Sequence, residues 1–135
     1  MTARPGPDSP RAVVLGRVGL DLYADPIGTR VQDAQLFRSA IGGSAGNIAV
    51  ALARQGVAAA LLTRVSSDAV GGYCRAELAR YGVDCRLIAD QTGESRTSLA
   101  VTESVAQGCQ VVLYRNGAAD FDLSQCYQIF FEAAA

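Results

Sequence analysis

The stretch from Ile41 to Gly56, IGGSAGNIAVALARQG, constrains this chain more than any other. Gly42, Gly43 and Gly46 open an apolar run that carries Asn47 in its first turn. A plain reversal needs one glycine at most, so three imply that something approaches this backbone closely. The run reads as a helix from about Ser44 to Gln55. Ile48, Ala51 and Leu52 share one face, and Gly56 is placed as the left-handed residue past its end.

The flanks set the fold class. Ala12 to Gly16 is a continuous apolar run, read as a buried parallel strand, with Leu20, Asp21 and Leu22 continuing beyond it. A turn and a second extended piece ending near Ile41 follow. After the helix, Val57 to Val65 is the next buried strand. Asp68 caps a second helix in which Val70, Cys74, Leu78 and Tyr81 recur at helical spacing, and Gly82 ends it. The echo of ARQGV at 53–57 in ARYGV at 79–83 is explained by reuse of one helix-ending chemistry. Strand, helix, strand, helix with short links is the pattern of an α/β parallel sheet.

The pattern then changes. Arg96 to Glu103 and Cys109 to Asn116 read as an antiparallel hairpin, in which Thr97, Leu99 and Val101 form an apolar face and Ser98, Ala100 and Thr102 a wet one. With the segment near Gln35 to Ile41 they make a small sheet standing off the main one, a lid spanning about 20–41 and 96–116. Residues 1–11 are polar and proline-rich and read as a disordered tail without the apolar core of a signal peptide. Ser124 is placed as the cap of a last helix whose Phe130 and Phe131 have nothing later in sequence to cover them, so the chain reads as an incomplete domain over 12–135.

Composition removes several functions. There is no lysine, so a P-loop is excluded, and no histidine, so His-dependent triads are too. The glycines do not match a dinucleotide fingerprint. A net charge of −1 without a basic cluster speaks against nucleic acid, and no apolar run is long enough to cross a membrane. Cys74, Cys85, Cys109 and Cys126 are widely spaced, as in a reduced cytoplasmic protein without a metal site.

Gly42, Gly43, Ala45, Asn47, Ala49 and Gly56 together resemble the N-terminal signature of the phosphofructokinase-B, or ribokinase-like, carbohydrate kinases. Ser66 stands where that signature has a further glycine. GRVGLDLYADPIGTR, RVSSDAVGGYC, TGESRTSLAVTE and VVLYRNGAADF look like one branch, the kinases of 5-dehydro-2-deoxygluconate in inositol catabolism. The resemblance implies a doubly wound ribokinase-like sheet with a small antiparallel β lid. It also implies transfer of the ATP γ-phosphate, with magnesium, to a hydroxyl of a small sugar acid. The family's Gly-Ala-Gly-Asp segment, which holds the catalytic base and anion hole, does not occur here, so no catalytic residue is expected in this chain.

Substrate-binding residues are expected at Asp21, Gly42, Gly43, Asn47 and Arg115. Carboxylates and carboxamides bond adjacent hydroxyls bidentately, glycines admit close contact, and Arg115 would reach from the lid to the carboxylate of the sugar acid. Each has a plainer reading: a solvated loop carboxylate, an ordinary tight turn, an asparagine serving helix amides, an edge-strand surface charge. Two alternatives accompany the kinase: a non-catalytic sugar-binding fragment, or a kinase of 2-keto-3-deoxygluconate, fructose or ribose. The apolar face of the lid hairpin offers pairing with a second copy.

Overall fold

A computed structural model describes residues 9–124 of the chain. In chain order the elements are β1 Ala12–Leu15, β2 Gly19–Asp25, β3 Leu36–Gly42, α1 Ser44–Arg54, β4 Ala59–Ser66, α2 Ala69–Arg80, β5 Ile88–Gln91, β6 Ser98–Thr102 and β7 Val111–Tyr114. Single 3-10 turns lie at Val31–Asp33 and Ala119–Phe121. The expected helix from Ser124 onward and most of the N-terminal tail fall outside the described residues. Arg11 already bonds through its backbone N–H to the Ala58 carbonyl, at 2.7 Å.

The strands form two sheets. β1, β4 and β5 are parallel, with β4 in the centre. Every residue of β4 is buried, which fits its unbroken apolar start: a strand covered on both faces has no side to leave polar. The second sheet has the order β3-β2-β6-β7. Its outer pairs are antiparallel, as the hairpin pattern predicts, and its central pair, β2 with β6, is parallel. β2 therefore does not prolong β1. The chain leaves the first sheet at Gly16–Val18 and enters the second.

Both helices end as their sequences dictate. Gly56 and Gly82 take φ of 79° and 82°. Val57 N–H bonds the Leu52 carbonyl at 3.1 Å and Val83 N–H bonds that of Leu78 at 3.0 Å, the closure of a Schellman motif in each case. At the start of α2 the Asp68 carboxylate accepts from the backbone N–H of Val70 and Gly71, at 3.0 and 3.1 Å.

The buried side of α1 differs from the expected one. Ala45, Gly46 and Ala49 are buried, whereas Ile48 is 52% exposed. The helix lies close to the link between β1 and β2: a Cβ on Gly46 would come within 2.9 Å of Val18 Cγ2. Only the smallest residues fit that face, so the larger Ile48 is turned outward. Val18, Ile41, Ala49, Leu61, Cys74 and Leu78 form the centre of the core between helices and sheets.

β5 is a strand that periodicity does not reveal. It is four residues long and holds Asp90, and the guanidinium of Arg75 on α2 ties it down through the Ile88 carbonyl (2.8 Å) and the Asp90 carboxylate (2.7 Å).

Candidate functional site

The second sheet turns one face onto a cleft of about 210 Å³. Register explains which face. Gly19 lies beside Ser98, Asp21 beside Ala100, which pairs in turn with Leu113, and Tyr23 beside Thr102, which pairs in turn with Val111. Because side chains alternate along a strand, these rows share one side, and all of them border the cleft. The set Ser98, Ala100 and Thr102, expected to meet bulk water, thus lines a site. Ser98 and Ala100 are buried.

Asp21 is the cleft's carboxylate. Its Oδ2 accepts from the Tyr23 hydroxyl at 3.3 Å, and it retains further lone pairs for a ligand. Burial, then the charge and hydrogen bond of Asp21, push the Tyr23 phenol above its usual range, so it remains a donor. Gly42, diagonal to Asp21 across the β2–β3 pair, supports the carboxylate from behind: a Cβ there would overlap it.

The glycines that open α1 make room first for the protein itself. At Gly43, with φ 84°, a Cβ would meet the Arg17 carbonyl oxygen at 2.5 Å. The Gly46 N–H bonds that same oxygen at 3.1 Å. Gly43 also borders the cleft, whereas Gly42 acts on it through Asp21. Asn47 is exposed and does not border the cleft; its backbone N–H bonds the Gly43 carbonyl at 3.0 Å.

Arg115 is not brought to the cleft either. Its guanidinium pairs with Asp120 at 2.7 Å and stacks on the Phe121 ring at 4.4 Å. The Asp120 side chain is 1% exposed and also accepts from Ser98 Oγ at 2.9 Å. Beside this network, Thr97 Oγ1 accepts from the Ser66 N–H at 2.8 Å, and the Ser66 hydroxyl donates to Asp68 at 2.7 Å. The foot of β6 is therefore bonded to the end of β4, the cap of α2 and the 3-10 turn at 119–121. Sequence reading passed over Arg17, Ser98 and Asp120. Their one sequence signal is alternation, which places Ser98 on the polar side of its strand.

The turn that opens α1 is not set up as a phosphate cradle for ATP. Phosphate sites on glycine-rich turns rely on free N–H groups at a helix start, and here the Gly46 N–H is already engaged by Arg17. Among the described residues no group of three His, Cys, Asp or Glu side chains is arranged to hold a metal ion, and no helix is long and apolar enough to cross a membrane.

A parallel sheet with two helices and a second, mixed sheet that lines a carboxylate-bearing cleft make up an α/β architecture shared with solved sugar kinases. The model of the pfkB family of carbohydrate kinases matches residues 9–134, and the chain belongs to that family. It is 41% identical over 112 residues to a 5-dehydro-2-deoxygluconokinase of Photobacterium profundum, covering 83% of this chain and 34% of that protein. Among solved structures it is similar to a PfkB protein from Polaromonas sp. JS666, with TM-score 0.77, 25% identity, and coverage of 84% of this chain and 38% of that one. It is also similar to an uncharacterised sugar kinase from Pyrococcus horikoshii in complex with ATP, with TM-score 0.72, 28% identity, and coverage of 82% and 35%. The chain spans about a third of the length of the curated relative.

Proposed function

We propose that this chain supplies the sugar-binding side of a kinase that transfers the γ-phosphate of ATP to a hydroxyl of a small sugar acid, 5-dehydro-2-deoxygluconate being the best candidate. The observation that carries the reading is Asp21: a carboxylate in a cleft, bonded by Tyr23 and supported from behind by Gly42. A carboxylate in that setting accepts from two neighbouring hydroxyls of a polyol, and Gly43 lets the ligand reach the backbone beside it. Asn47, one turn into α1, is proposed to add a carboxamide as the ligand settles against the helix. The similarity to a 5-dehydro-2-deoxygluconokinase supports the substrate, and the family supports ATP with magnesium as donor.

Phosphoryl transfer is largely positioning and charge stabilisation, and the residues described hold the acceptor. The β3-β2-β6-β7 sheet is proposed to act as the lid over it. The exposed apolar strand β7, Val111 to Tyr114, is proposed as the edge through which two lids pair. A cytoplasmic setting accords with free Cys74, Cys85 and Cys109.

Calorimetric titration of the 135-residue chain with 5-dehydro-2-deoxygluconate tests the reading. Binding is expected, and Asp21→Ala should weaken it about tenfold to a hundredfold, the range of a hydrogen bond to a charged group. A folded wild-type chain that binds no sugar or sugar acid would overturn it.

A further inference from the structure

The cleft needs a cation if its ligand is an acid, and Arg115 is committed elsewhere. Releasing Arg115 would strand the Asp120 carboxylate, whose side chain is 1% exposed, without its counter-charge. An uncompensated buried charge is among the most costly single defects a fold can carry. The pair with Asp120, the stack on Phe121 and the bond from Ser98 to the same carboxylate make Arg115 a fixed part of the lid's foot.

Arg17 is placed differently. It borders the same cleft as Asp21 and Gly43, and it is the one cationic residue that does so among the described residues. It is partly buried, and none of the ion pairs among the described residues includes it. Its backbone is fixed: the carbonyl accepts from Gly46 N–H at 3.1 Å and lies under Gly43, and Val18 beside it is wholly buried. It also stands two residues past Leu15, beyond the C-terminal end of parallel strand β1, where open α/β sheets take their ligands.

We infer that Arg17 is the residue that selects an acidic sugar over a neutral one, its guanidinium pairing with the ligand carboxylate while Asp21 takes the hydroxyls. The inference rests on the reading of this cleft as the sugar site. The cleft then carries one cation and one carboxylate, matching a ligand with an acid group at one end and hydroxyls along its length. Arginine suits the task, because its planar fork meets both oxygens of a carboxylate. Arg115 holds the lid's foot in place without touching the ligand.

The test compares 5-dehydro-2-deoxygluconate with neutral 2-deoxyglucose on wild type, Arg17→Ala, Arg17→Lys and Arg115→Ala, with thermal unfolding recorded for each. Arg17→Ala should lose roughly tenfold to a hundredfold in affinity for the acid, and neutral-sugar binding should change less than about twofold. Arg17→Lys should recover part of the acid affinity, which also shows that the site is folded. Arg115→Ala should lower the unfolding midpoint and keep the acid-to-neutral ratio. Equal losses for both sugars in Arg17→Ala, or a selective loss of the acid in Arg115→Ala alone, would overturn the inference and leave the sugar site standing. A wild-type chain that binds neither compound would overturn both.

Discussion

Gly42 lies so close behind the Asp21 carboxylate that a methyl group in its place would overlap both carboxylate oxygens. The obstructing atoms are the free end of a side chain, so the fold can yield by rotating Asp21 away. Gly42→Ala is therefore expected to unfold within a few degrees of wild type while losing sugar binding as fully as Asp21→Ala. Thermal melts paired with calorimetry check this. A variant that binds normally would show that Asp21 can be displaced without consequence.

Asp68 makes the stability of the α2 start dependent on pH. The Ser66 hydroxyl first, then the N–H groups of Gly71 and Val70, hold its carboxyl below the usual 3.8. A folded-state pKa below the unfolded one stabilises the fold above that usual value, and this contribution is lost as pH falls through the folded pKa. Asp68→Ala should cost about 1 kcal/mol near neutrality, the worth of a helix cap. The gap from wild type should narrow steadily below about pH 4. Urea titrations at pH 7 and pH 3 measure it, and a gap that does not change with pH would refute the linkage.

The cysteines should react in an order set by burial. Burial, and after it the negative charges of Asp21 and Asp68, push the Cys74 thiol up to about 12. It holds almost no thiolate at neutral pH and is closed to reagent. Cys109 is exposed. Iodoacetamide followed by peptide mass spectrometry should find Cys109 labelled in the folded chain and Cys74 labelled only after denaturant is added. Equal labelling of the two without denaturant would contradict this core.

Local chemistry was legible from the sequence wherever it depends on a few consecutive residues. Gly56 and Gly82 end their helices as read, and Asp68 caps α2, because such motifs close over about six residues and need no partner from afar. β4 and the β6–β7 hairpin were legible as strands, since an apolar run and alternation both mark extended chain, but the face of β6 read as wet holds the buried Ser98 and Ala100. The family was legible as well, through separated motifs.

Tertiary structure decided what depends on a neighbour distant in sequence. β5 is too short for a period to show, and its place comes from pairing with β4 and from Arg75 on α2. α1 buries Ala45 and Ala49 in preference to Ile48 because Val18 lies against it, and no local pattern measures that distance. Nothing local in the sequence tells the setting of Arg17 from that of Arg115. One stands beside the cleft and the other is bound to Asp120, five residues on. What separates them is that Asp120 is buried while charged, and burial belongs to the assembled fold.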